Sequence, residues 1–420
     1  MLSLKDALLI AEKNDTELMG SRYDVQTSDV SVREATSAAL PIISFSSSFN
    51  HFIETPSTYI PAFEESVRFS TYNDLATDLH LAQPIWLAGK VGMALDAAKT
   101  YRKLARETEQ STRSMLKSRT TANYFGLQLA RGVYDVTKEG LEQARKHART
   151  VENMYDVGMA SEFDLLRASV EVKNIEPQLS YAEQNLSLAY VSLSNSLNIA
   201  FGDTIILTDE LKMDIPKVST EDLLERARRN RPEFRLLDLQ ERLDGLSIKN
   251  EQRSLYWPSF FFDMNYRWQV SDDKLDAFTT DSTWQESLNY TLSLQLPIFD
   301  GFATPARIQK AKIGLRRTKL KRLQLEQGVR LEVTQIQTEL KRAKDLVESM
   351  TAGVELAQKA FEIAEVRYEQ GISTELELLD AQLAVQNSKV GLLKGLYDLR
   401  VAHAEYNRII ENDTDLGGDK

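Results

Sequence analysis

The sequence predicts a mixed α and β chain written twice in tandem, each copy holding two one-faced strands and two very long helices. Three observations predict this. Turn-forming residues are scarce, with 18 glycines and 10 prolines in 420 residues, where average usage is roughly 7% and 5%. Blocks of sequence recur at a fixed separation. Two stretches in each copy switch from helical to strict period-two patterning.

The recurrence is read from three blocks. Tyr155, Gly158, Ser161, Asp164, Leu165, Leu166 and Ala168 return as Tyr368, Gly371, Thr374, Glu377, Leu378, Leu379 and Ala381, 213 positions later. Pro84-Ile85-Trp86 returns as Pro297-Ile298-Phe299 at the same separation. Asp6, Ala11, Asn14 and Glu17 return as Asp222, Ala227, Asn230 and Glu233 at 216, a difference that a few inserted loop residues produce. The first repeat is placed at 1–215, ending in an equatorial segment 200–215, and the second at 216–420.

In chain order, residues 3–38 are expected to be helical, with Leu4, Leu8 and Ala11 in amphipathic rhythm and Ser3 and Asp6 placed as a capping box. Strands follow at about 41–52 and 74–86, joined by a polar loop 53–73. Helices are expected at about 89–155, which at 1.5 Å per residue is about 100 Å, and at 160–199. Pro177 sits inside the latter and should kink or interrupt it. The second copy begins with a helix at 219–254. In 257–269, Phe260, Phe262, Met264, Tyr266 and Trp268 alternate with Ser259, Phe261, Asp263, Asn265 and Arg267. In 287–299, Leu288, Tyr290, Leu292, Leu294 and Leu296 alternate with Ser287, Asn289, Thr291, Ser293 and Gln295. Long helices at 302–368, with Thr304 as N-cap and Pro305 at N1, and at 372–411 complete the chain. In the last, Leu376, Leu379, Leu383, Val390, Leu393 and Tyr397 form a coiled-coil seam.

Composition removes whole classes of function. There are no cysteines, hence no disulfides, thiolate metal sites or cysteine nucleophiles. A formal net charge of -11 argues against a nucleic-acid partner, which needs a concentrated basic surface. No stretch approaches the roughly 18 apolar residues of a spanning helix. His51, His80, His147 and His403 show no ligand spacing, and no HExxH, GxSxG or phosphate-loop motif occurs. No catalytic residue, metal site or cofactor is expected, and the chain is not read as an enzyme. The opening Met1-Leu2-Ser3-Leu4-Lys5 lacks a secretory signal, so the protein is either cytosolic or has lost one. Long helices alone fit a soluble, elongated coiled-coil scaffold, which is the alternative reading. The strands favour another. An apolar outer face, a Ser/Asn/Thr/Gln inner face and aromatic ends form the pattern of a transmembrane barrel strand, with Trp86, Trp257, Tyr266 and Trp268 as interfacial aromatics or as packing at the barrel-to-helix junction. Four strands cannot close a pore, since barrels need about eight. Closure requires several copies, and three supply twelve strands.

The duplicated strand-strand-helix-helix plan, the paired Pro-Ile-aromatic segments and the twice-written Tyr-x-x-Gly-x-x-[Ser/Thr]-x-x-[Asp/Glu]-Leu-Leu resemble the TolC-like outer-membrane efflux protein family, the outer membrane factors. The resemblance covers nearly the whole chain. It implies a homotrimer: a trimeric 12-stranded transmembrane β-barrel in outer-membrane lipid, continued by a 12-helix α-helical periplasmic tunnel. It implies a passive exit duct of a tripartite efflux or type I secretion system, opened at its periplasmic tip by a periplasmic adaptor (membrane fusion) protein and an inner-membrane pump. A removed signal peptide follows, and with no cysteine after the start a lipid anchor is unsupported.

The resemblance also assigns roles. Val157-Gly158-Met159 and Gln370-Gly371-Ile372 are the expected adaptor-docking tips, where a glycine permits the left-handed reversal between antiparallel helices. Glu377 and Asp380, three apart on one helical face, match the acidic ring of a constricted entrance, where crowded carboxylates from three subunits gather cations. Asp164 matches the position that ties the entrance shut, and Tyr368 matches one partner. The basic partner falls at Ser373, so the Asp-to-Arg lock is missing, and Arg167 is a substitute to consider.

Overall fold

The computed structural model describes residues 1–61, 64–68, 70–200, 206–209, 211, 223–274 and 284–410. Most of the equatorial segment 200–215, the expected helix start 219–222 and position 411 lie outside them. The elements are α1 (Leu4–Asn14), α2 (Thr16–Ser37), β1 (Ile42–His51), β2 (Ser57–Ile60), β3 (Glu65–Arg68), β4 (Asn73–Leu87), α3 (Lys90–Asp156) and α4 (Glu162–Leu197). They continue as α5 (Leu223–Asn230), α6 (Pro232–Tyr256), β5 (Ser259–Asp272), β6 (Gln285–Gln295), α7 (Ala303–Glu369) and α8 (Glu375–Ile410).

Several local features differ from the expectations. The first helix is two helices, because Asp15 takes an extended ψ of 124° and spends its carboxylate on the N–H of Leu18 at 2.8 Å, which starts α2. Arg231 likewise separates α5 from α6. Part of the loop 53–73 forms the antiparallel ribbon β2–β3. Pro177 does not interrupt α4, which runs through it as one helix; one lost N–H bond is outweighed by neighbours on both sides. Pro84 lies within β4 at a shift in the β4–β5 register between Pro84 and Trp86, a bulge position that needs no donor. Thr304 lies inside α7: its N–H and hydroxyl both donate to Asp300, at 2.8 and 2.5 Å, so Asp300 is the capping acceptor.

Two compact units emerge, each drawing on both copies of the repeat. One contains Val25–Ala105 and Asp238–Leu320. Its antiparallel sheet has the order β1-β4-β5-β6. The register sorts side chains by chemistry. Phe45, Leu79, Tyr266 and Leu288 form one cross-strand row, and Ile43, Leu81, Met264 and Tyr290 another. The alternate rows are polar: Ser46, Asp78, Arg267 and Ser287, then Ser44, His80, Asn265 and Asn289. Arg267 grips Asp78 with two bonds of 2.7 and 3.1 Å, and His80 stands 3.3 Å from Asp263. Every residue of β1 and β6 is exposed, and among the described residues neither has a partner on its outer edge. Trp86 packs edge-on to Trp257 with ring centroids 5.9 Å apart, and Tyr266 to Trp268 at 4.0 Å.

The other unit contains Met1–Asp24, Arg106–Leu237 and Lys321–Lys420. It holds two equivalent apolar clusters. Ala7, Ala11, Leu18, Leu116, Tyr124, Phe125, Leu193 and Leu197 join α1, α2, α3 and α4. Leu223, Ala227, Phe234, Val329, Val333, Leu399 and Ile409 join α5, α6, α7 and α8. No helix among the described residues is long and apolar enough to cross a membrane.

Candidate functional site at the helical turns

The two reversals between long helices are built alike. Gly158 has φ +76° and Gly371 φ +70°, a region that costs other residues about 1–2 kcal/mol. At the first, Gly158 N–H donates to Tyr155 at 2.9 Å and Met159 N–H to Met154 at 2.7 Å. At the second, Gly371 N–H donates to Tyr368 at 2.9 Å and Ile372 N–H to Arg367 at 2.9 Å. Both are Schellman caps, which satisfy carbonyls a helix end leaves open. Val157, Met159, Gln370 and Ile372 are all exposed, Met159 to 78%. A backbone fixed by caps thus carries apolar side chains outward at each reversal.

Helix α4 starts at Ser161, whose hydroxyl accepts from the N–H of Asp164 at 3.1 Å and donates to its carboxylate at 2.6 Å. The Asp164 carboxylate also accepts the Ser161 N–H at 3.1 Å, closing a capping box. These bonds to Ser161, helped by the neighbouring Glu375 and the charge of Arg167, hold Asp164 below the usual carboxylate range. Asp164 is therefore first a helix cap. Arg167 also lies over the Phe163 ring, 6.0 Å from its centroid.

Tyr368 packs its ring edge-on to His147, with centroids 5.3 Å apart, and Asp164 reaches that tyrosine only through its charge. Tyr368 is pushed up by burial and by the negative charges of Glu375 and Asp164. Ser373, where a base was missed, instead donates to the Glu377 carboxylate at 2.6 Å. Glu377 and Asp380 are exposed on the first turns of α8. Glu375 and His147 were not singled out from the sequence. Glu375 is buried, its side chain only 3% exposed, and its Oε1 stands 3.4 Å from Nε2 of His147. The signal was present: Glu375, Leu378 and Gln382 fall at i, i+3 and i+7 on the buried face of α8. Among the described residues no group of three His, Asp or Glu is arranged to hold a metal ion.

An open sheet with one apolar face and a pair of capped helical hairpins is the architecture that a channel subunit requires. The outer membrane efflux protein model matches two stretches of the chain, residues 8–198 and 223–408. The chain belongs to the outer membrane efflux protein family. It is similar to the cobalt-zinc-cadmium resistance protein CzcC of Cupriavidus metallidurans, 22% identical over 365 residues that cover 84% of this chain and 81% of that protein. The probable efflux pump outer membrane protein TtgC of Pseudomonas putida is 22% identical over 320 residues, 73% of this chain and 62% of that one. The fold superposes on the Campylobacter jejuni CmeC outer membrane channel with a TM-score of 0.80 and 19% identity, over 97% of this chain and 85% of that one. The protein is an outer-membrane efflux channel that extends into the periplasm, and its family is one of channels, not enzymes. The soluble-scaffold reading is set aside on the same ground.

Proposed function

We propose that three copies of the chain close their four-stranded sheets into a 12-stranded barrel in outer-membrane lipid, with a 12-helix tunnel below it, as a passive exit duct. The two repeats, 1–215 and 216–420, each supply two strands and two long helices to it. The observation that carries this reading is the pair of edges β1 and β6, unpaired within the chain and lined by exposed Phe45, Tyr290 and Leu292. Open edges in hydrocarbon cost several kcal/mol per unsatisfied group, so only closure satisfies them. The tips Val157, Gly158, Met159, Gln370, Gly371 and Ile372 meet a periplasmic adaptor working with an inner-membrane pump. Glu377 and Asp380 form the acidic ring at the entrance. Asp164, Tyr368 and Ser373 hold it closed through hydrogen bonds in place of an ion pair. Energy comes from the pump, and cargo choice rests there.

Mass measurement of the detergent-purified protein tests the assembly: a trimer is expected, and a stable monomer soluble without micelles overturns it. Copurification with the native adaptor tests the tips. Met159→Asp with Ile372→Asp is expected to abolish capture and leave the trimer intact, and unchanged capture removes the tips from the docking surface.

A further inference from the structure

The two copies of the repeat bury nearly interchangeable apolar clusters. Ala11, Leu18, Leu127 and Leu197 in the first stand where Ala227, Phe234, Leu340 and Ile410 stand in the second. Apolar burial is non-directional, so it does not tell the short pair α1–α2 from the pair α5–α6. The charges do. At the break between α1 and α2, buried Asp15 accepts a bond from Arg119 of α3 at 2.8 Å. At the break between α5 and α6, buried Arg231 donates to Glu332 of α7 at 2.5 Å. Asp15 and Arg231 are 216 positions apart and Arg119 and Glu332 are 213 apart, the two separations of the repeat. One ion pair is thus written twice with its polarity reversed. A second position agrees. Glu12 on α1 lies 3.5 Å from Lys117 of α3, whereas its counterpart on α5 is Arg228, which turns to Glu225 of its own helix at 3.4 Å.

We infer that this reversal is a matching code, by which each short helical pair accepts only its own long hairpin. If α5–α6 docked on α3–α4, Arg231 would face Arg119 and Arg228 would face Lys117. If α1–α2 docked on α7–α8, Asp15 would face Glu332. A matched buried pair adds little net stability, but a buried charge without its partner is costly. Repulsion of this kind rejects a wrong partner where apolar attraction alone does not. A chain holds two short pairs and two hairpins, so excluding one wrong match excludes the exchange. In the proposed trimer six such sites compete, a setting that invites swapping of like elements between copies. The code itself does not depend on the protein forming a pore.

The chain has no cysteine, so engineered pairs report docking by disulfide formation in the detergent-purified full-length protein. Asn14→Cys with Asn198→Cys reports correct docking, since the Asn198 amide reaches the main-chain oxygen of Asn14 at 3.0 Å. Asn14→Cys with Ile410→Cys reports the swap, because Ile410 takes in the second copy the place of Leu197, whose oxygen Asn14 reaches at 3.3 Å. With native charges only the first disulfide is expected. Asp15→Arg gives α1–α2 the polarity of α5–α6, and is expected to weaken the first disulfide and raise the second several-fold. Arg119→Glu is expected to weaken the first without raising the second, because both hairpins then repel Asp15. Asp15→Arg with Arg119→Glu is expected to restore the first and keep the second, since both copies then carry one polarity. Glu332→Arg leaves Asp15 and its bond to Leu18 in place, and is expected to raise the swap disulfide by attracting Asp15 to α7. A swap disulfide at native charge overturns the code, and so do equal amounts of it in Asp15→Arg and Arg119→Glu. Its absence from both Asp15→Arg and Glu332→Arg, folded or not, overturns it as well.

Discussion

The side-chain amide of Asn230 donates to the main-chain oxygen of Ile410 at 2.9 Å, tying the end of α5 to the last turn of α8. The first copy repeats the device, Asn14 donating to the oxygen of Leu197 at 3.3 Å. Each amide satisfies a carbonyl that a helix C-terminus leaves open. Asn230→Ala is expected to cost about 1–2 kcal/mol, read as a lowered midpoint in denaturant unfolding of the detergent-purified protein. Asn14→Ala should cost less, because Asn198 reaches back to the oxygen of Asn14 at 3.0 Å and that bond survives the substitution.

At the two reversals the open space around Gly158 and Gly371 separates backbone strain from steric clash. Gly371→Ala is expected to cost about 1 kcal/mol through its positive φ alone. Gly371→Asn should cost less, since asparagine tolerates the left-handed region. Thermal unfolding of the three proteins checks the order, and equal losses for Ala and Asn would contradict it.

Arg231, with a side chain 6% exposed, binds Glu233 at 2.8 Å and Glu332 at 2.5 Å. Burial alone would raise Glu233, but its bonds to Arg231 outweigh that and hold it below the usual carboxylate range. Arg231→Met leaves Glu233 without its partner while Arg408 still holds Glu332, and is expected to cost about 1–3 kcal/mol. The pH dependence has a definite sign. A carboxyl lowered in the folded state contributes stability above its ordinary pKa of about 4.3, lost as pH falls through the depressed value. Arg231→Met should therefore flatten the acid side of the stability curve, measured by denaturant midpoints from neutral pH downward.

Leu292 pairs with Phe262 across β5 and β6 and is 71% exposed. Facing hydrocarbon in the closed barrel, Leu292→Arg should cost about 2–4 kcal/mol near the midplane and little near an interface. Thr291→Arg, on the other face, should spare stability. Heat-modified mobility of the assembled trimer distinguishes them.

Period-two alternation made the strands legible, because one sheet face meets apolar surroundings and the other polar ones. The repeat made the reversals legible, since Gly158 and Gly371 take a positive φ at matching turns. What escaped was decided by single-residue contacts. Asp15 breaks the first helix by capping the second, a local competition that amphipathic rhythm does not register. Pro177 was tolerated because packing on a long helix outweighs one missing bond. Glu375 escaped because an acid on a helix is usually solvated, and only its burial against His147 on α3 shows otherwise.

Glu377 and Asp380 remain exposed on α8, and Ser373 holds the Glu377 carboxylate at 2.6 Å, fixing its direction without neutralising it. A serine donor leaves the full negative charge available to passing ions, where an arginine would cancel it. In the proposed trimer, threefold repetition would place six carboxylates around one axis, and such rings draw cations. Glu377→Gln with Asp380→Asn is expected to weaken the preference for potassium over chloride in reversal-potential measurements. Ser373→Arg is expected to weaken it as well, by pairing with Glu377, and to lower single-channel conductance. Unchanged selectivity in the double variant would remove the ring from the conduction path.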